Sequence, residues 1–110
     1  MQEILLFIKK KGIDLANMGV HNYAFPKNDA LELLNLFKKY NILLYGGDFL
    51  KKEDNKFNYN YINWATNEKN IQYNIEYAKK FIEQYATEDI YIEFVTEIDF
   101  YKHIKTIPTK

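Results

Sequence analysis

Apolar positions along this chain repeat at two periods, about 3.6 and about 2 residues, and each change of period marks a new element. Residues 3–11 carry Ile4, Leu5, Phe7 and Ile8 on one helical face. Lys9, Lys10 and Lys11 suit the negative end of that helix, and Gly12 suits the position just past it. Residues 13–25 are mixed, with a short strand predicted over 20–25. Pro26 supplies a start at the first helical position, with Asn28 as a competing cap. Ala30, Leu31, Leu34 and Phe37 then repeat at helical spacing, which predicts a second helix over 27–40. Lys38 and Lys39 close it, and Asn41 can take the left-handed conformation.

The run Ile42-Leu43-Leu44-Tyr45 leads straight into Gly46-Gly47-Asp48-Phe49. It predicts a strand over 42–50 buried on both faces, whose glycines mark a bulge, a bend or a close backbone approach. Glu53 to Lys56 reads as a turn. Residues 57–64 alternate Phe57, Tyr59 and Tyr61 with Asn58 and Asn60, the pattern of an extended or edge segment whose pairing is open. Thr66 or Asn67 caps a third helix, with Ile71, Ile75, Ala78, Ile82 and Tyr85 as its buried stripe and Tyr77 and Phe81 widening it. Residues 90–98 put Ile90, Ile92, Phe94, Thr96 and Ile98 on a buried side and Tyr91, Glu93, Val95 and Glu97 on a wet one. The last dozen residues are weakly patterned and expected to fray. The expected fold is α+β: a small sheet of three to four strands covered on one face by about three helices, a single domain spanning 1–110. Strands 42–50 and 90–98, joined through a helix, would run parallel if adjacent.

Composition narrows the function. The chain has 110 residues and no cysteine, so disulfides and thiol chemistry are excluded. That fits a reducing cytoplasm. The first eight residues lack the basic region and apolar length of a signal peptide, and no run approaches the ~18 apolar residues of a membrane span. A cytoplasmic protein without a membrane partner is expected. Net charge is zero and every basic residue is lysine, which argues against nucleic acid as a partner. Tyrosine and phenylalanine are abundant, with 10 and 8 copies. They fill the core or form a partner-binding face.

Candidate chemistry is sparse. His21 and His103 lie in different elements without a carboxylate or serine at a motif spacing, so both read as structural. No ligand cluster, calcium loop or phosphate-binding loop is present, so no metal or cofactor is expected. Gly46-Gly47-Asp48-Phe49 is similar to the GGDEF signature of diguanylate cyclases, but Phe49 stands where the metal-binding glutamate belongs. Trp64, the single tryptophan, reads as a core residue or as an anchor in an interface. Asn22 and Tyr23 read as residues that tie down the loop before the second helix. From Glu83 to Asp99 there are six carboxylates and no lysine. They read as a solvated face or as an acidic patch for a basic partner.

These pieces together resemble a known family. Asn22-Tyr23-Ala24-Phe25, Asp29-Ala30-Leu31 opening a helix, the strand ending in Gly46-Gly47-Asp48, and Tyr61 with Trp64 are similar to the pattern of the immunity protein 40 family of bacterial polymorphic toxin systems. Tyr23 stands where many members have Trp, and Pro26 where a Ser or Thr cap is common. The resemblance implies a small non-catalytic α+β protein that binds and neutralises a cognate toxin. Its oligomeric state is open, monomer or homodimer, and the Tyr-rich segments leave room for the homodimer. A basic, nuclease-like toxin would suit the acidic segment. On this reading Asn22, Tyr23, Gly46, Gly47, Asp48, Tyr61 and Trp64 are architectural. Asp48 would accept backbone N–H bonds, and Tyr61 and Trp64 would pack beside the strand end. Glu88, Asp89, Glu93 and Glu97 are the candidate toxin contacts. The alternative is a small-molecule or regulatory module with a pocket between Trp64 and the Gly46-Gly47 turn.

Overall fold

The computed structural model describes residues 1–106. The elements run α1 (Gln2–Lys11), β1 (Ile13–Asp14), a 3-10 turn (Ala16–Met18), β2 (Tyr23–Pro26), α2 (Lys27–Lys39), β3 (Leu44–Glu53), β4 (Lys56–Ala65), α3 (Ile71–Tyr85), β5 (Ile90–Thr96) and α4 (Phe100–Lys105). The class is α+β, with one five-stranded sheet in the order β1-β2-β5-β3-β4. Every neighbouring pair is antiparallel.

Local chemistry sets the boundaries. Pro26 ends β2 rather than starting α2, because it has no N–H to continue the ladder. Asn41 takes φ 58°, and Ile42 N–H reaches back to Phe37 C=O at 2.8 Å, which turns the chain into β3. Asp54 and Asn55 take φ 50° and 65° between β3 and β4. Two left-handed residues make the two-residue turn whose twist matches a hairpin. Asn70, not Thr66 or Asn67, caps α3: its side chain accepts from Tyr73 N–H.

Several expectations are corrected here. The described residues form five strands and four α-helices, because residues 56–65 pair along β3 and residues 100–105 form α4 with Phe100 and Ile104 buried. The fraying expected for 107–110 lies outside the described residues. Strands β3 and β5 are antiparallel, not parallel. The β4 hairpin reverses the chain before α3 returns it, so β5 re-enters in the opposite direction. In α3 the buried stripe is Asn74, Ile75, Ala78 and Ile82, whereas Tyr77 and Tyr85 stay half-exposed.

The sheet has two unequal faces. On one, Phe25, Phe49, Ile92, Phe94 and Trp64 pack with residues of all four helices into the main core. Phe37 of α2 anchors that layer edge-on to Phe94 at 5.7 Å and stacked on Phe100 at 5.8 Å. Full burial of such rings contributes about 1.5–3 kcal/mol each. On the other face, the segment from Leu15 to Val20 covers only Ala24, Leu50, Phe57 and Tyr91. The rest of that face is open.

Candidate functional site

The open sheet face gathers polar groups from four segments. Glu93 of β5 lies directly opposite Ala24 of β2 on one side and Asp48 of β3 on the other. Its Oε2 accepts from Asn22 Nδ2 at 2.9 Å, and its Oε1 accepts from the Tyr59 hydroxyl of β4 at 2.8 Å. The same Asn22 amide donates to Phe94 C=O at 2.9 Å, while its Oδ1 accepts from Tyr23 N–H at 2.8 Å. Asn22 therefore ties the loop down as expected and also fixes the carboxylate. Glu93 is only 5% exposed. The expectation of a wet Glu93 fails because Tyr59 reaches over it from the hairpin and Asn22 closes the other side.

Asp48 is half-buried, and its carboxylate receives no hydrogen bond among the described residues. The backbone bonds expected of it are absent there, because its side chain points to the open face. Like charges directly opposite on adjacent strands repel. No lysine pairs with either group among the described residues. Burial pushes the Glu93 carboxyl above its ordinary range; the Tyr59 and Asn22 bonds oppose this, and the Asp48 charge adds to it. Burial likewise raises Asp48. The Tyr59 hydroxyl is raised by burial and by donating to Glu93.

A raised folded-state pKa means the folded protein holds its protons more tightly than the unfolded chain. Stability therefore falls as pH rises from the ordinary carboxylate range through the raised values, and is regained on acidification. Glu93→Gln keeps both hydrogen bonds, since Gln accepts from Asn22 and donates to the Tyr59 oxygen. It is expected to raise the melting temperature at neutral pH and to flatten the stability profile between about pH 4 and about pH 7. Parallel melts of both proteins across that range check this; profiles of equal slope would remove Glu93 as the source.

The other motif residues are structural in a specific sense. A Cβ on Gly47 would lie 2.7 Å from Trp64 Cζ2 and closer still to two other indole carbons. A Cβ on Gly46 would strike the Trp64 carbonyl and lie 3.1 Å from Ala65 Cα. Both glycines are thus required by Trp64, one by its ring and one by its backbone. Trp64 is buried against Phe81 at 5.3 Å, Phe94 at 6.0 Å and Phe49 at 6.3 Å. Its indole N–H has no hydrogen-bond partner among the described residues. The space proposed for a ligand between Trp64 and the glycines is filled by the indole. A separate cavity of about 300 Å³ lies at the C-terminal end of β5 on its β2 side, lined by Tyr23, Phe94, Glu97 and Tyr101 among others.

Tyr61 does not pack beside the strand end. Three residues, Asn60 to Ile62, bulge opposite Phe49, where the register jumps from Asp48↔Asn63 to Leu50↔Tyr59. Tyr61 sits at the tip with φ 64° and is 93% exposed. Nor do the four candidate acidic contacts form one patch. Glu88 and Asp89 are exposed before β5, with Asp89 bonded to the Thr87 hydroxyl. Glu97 lies past the other end and accepts from Leu43 N–H at 2.9 Å. The strand between them spans about 20 Å.

Two residues that matter escaped the sequence reading. Tyr59 was visible only as part of an alternation, since its bond to Glu93 crosses β3. Asn74 is fully buried and bridges α3 to β3. Its signal was present: positions 74, 78 and 82 fall on one helical stripe, and an asparagine there demands buried partners.

The model of the family described as immunity protein 40 matches residues 14–96, from β1 through β5, and so includes Asn22, Asp48, Tyr59 and Glu93. No curated protein and no solved structure matches the chain.

Proposed function

This chain belongs to the immunity protein 40 family, and from that premise we propose that it binds a cognate bacterial toxin and neutralises it by covering it, without catalysis. The contact is the open sheet face around Asp48 and Glu93. One observation carries this reading: two carboxylates opposed on adjacent strands, one of them buried, have no paired cation among the described residues. Such a pair weakens the fold, and a lysine or arginine side chain from a basic toxin would relieve the repulsion on binding. Tyr59 and Asn22 hold Glu93 in place beforehand, so little ordering is needed when the partner arrives. Glu88, Asp89 and Glu97 act at longer range by steering a basic partner, and the cytoplasm is the compartment where it is met.

The test is co-expression with the toxin domain encoded beside the gene, together with purification of the complex. Wild-type protein is expected to restore growth and co-purify. Asp48→Lys, which places an ammonium beside Glu93, is expected to fold normally and to weaken the complex at least about tenfold. Failure of the wild type to rescue or bind overturns the immunity reading. Wild-type rescue with unchanged Asp48→Lys affinity would move the contact off this face.

A further inference from the structure

The outer edge of the sheet carries a surface of different character. From Phe57 to Thr66 there is no charged residue, although β4 is an edge strand. Edges are usually guarded by lysine, proline or covering elements. Here the only interruption is the bulge that lifts Tyr61 into solvent. Beside it, α3 sets an aromatic residue at every fourth position: Tyr73, Tyr77, Phe81 and Tyr85. Spacing of four keeps them on one winding flank. Tyr73, Tyr77 and Tyr85 are each about half-exposed or more. Tyr61, Ile62, Phe81 and Tyr85 surround one shallow depression that joins strand and helix.

We infer that this surface is where a second copy of the chain docks. Charge selects that occupant. Glu76 and Lys80 beside the stripe are paired with each other at 3.1 Å, so the surface has no field to attract a basic toxin. Two copies meet there without the repulsion that the acidic open face would impose. Tyrosine hydroxyls and asparagine amides both donate and accept, so identical surfaces can satisfy each other about a twofold axis. The stripe also has the required symmetry. Its four positions are symmetric about residue 79, so antiparallel α3 helices would set Tyr73 against Tyr85 of the second copy and Tyr77 against Phe81. The Asn60–Ile62 bulge breaks the edge ladder, so the contact runs through side chains rather than through strand addition.

Sedimentation velocity on the free protein, up to about 200 µM, tests this. The wild type is expected to show a concentration-dependent dimer. Tyr77→Lys, which sets an ammonium against Phe81 of the second copy, is expected to weaken it at least about tenfold without lowering the melting temperature, while Asp48→Lys leaves it intact. A wild type that stays monomeric overturns the inference, as does a dimer indifferent to Tyr77→Lys. A monomeric wild type whose toxin binding fails in Tyr77→Lys would assign the surface to the toxin instead.

Discussion

Replacing Gly47 by valine is expected to lower the unfolding free energy by about 3 kcal/mol, and the melting temperature by more than about 10 °C. Even a single added carbon would sit inside the contact distance of three indole carbons of Trp64. The ring has nowhere to go. Phe49, Phe81 and Phe94 hold it from the core side, with ring centroids 5.3 to 6.3 Å away. The strain is pairwise, so shrinking the tryptophan should relieve it. Gly47→Val combined with Trp64→Leu is expected to be less destabilised than the sum of the two single changes. Chemical denaturation of the four proteins in this cycle measures the coupling. Losses that simply add would mean that Gly47 serves some other need.

Asn74→Leu is the second large effect, at about 3 kcal/mol or more, even though leucine has nearly the same size and suits a core. The side chain acts as a substitute peptide group. Its Oδ1 accepts from Leu44 N–H at 2.9 Å, and its Nδ2 donates to Leu44 C=O at 2.9 Å and to Glu68 C=O at 3.0 Å. Leu44 begins β3 just where β4 has ended, since the last β3–β4 pair is Gly46↔Ala65. Its edge would otherwise face the interior with two unpaired groups. Asn74→Asp, which keeps the shape but turns the donor into an acceptor, is expected to be worse at neutral pH than in acid. Thermal melts at both pH values check this. A variant as stable as the wild type would mean that water can replace the amide.

How much of this was legible in the chain follows from how local each cause is. Helix α2 was readable almost to the residue, because its apolar spacing, its lysines and Asn41 lie within one segment. The hairpin turn was equally local. The direction of β5 was not, because it depended on whether residues 57–64 paired, and alternation alone cannot decide that. Tyr85 was misplaced because it lies at the border of the stripe: the last turn of α3 buries Ile82, and Ala86 after it, while Tyr85 leans on Phe81 and stays half-exposed. The candidate site was half-visible. Asn22 and Asp48 came from the motif and Glu93 from charge counting, but their meeting on one face required the strand order. The glycines were noticed for the right reason, a close approach, yet the approaching group is a side chain as well as a backbone.

The strand order has a consequence for synthesis. The strand made last, β5, lies between β2 and β3 in the finished sheet. On the ribosome the β3–β4 hairpin can form early, but β2 has no inner neighbour until residues 90–96 emerge. The sheet therefore closes by insertion, a high-contact-order event of the kind that takes milliseconds to seconds. Glu93 arrives with that strand, so Asn22, Asp48 and Tyr59 wait as separate fragments of a surface. A nascent or truncated chain without β5 presents none of the assembled surface.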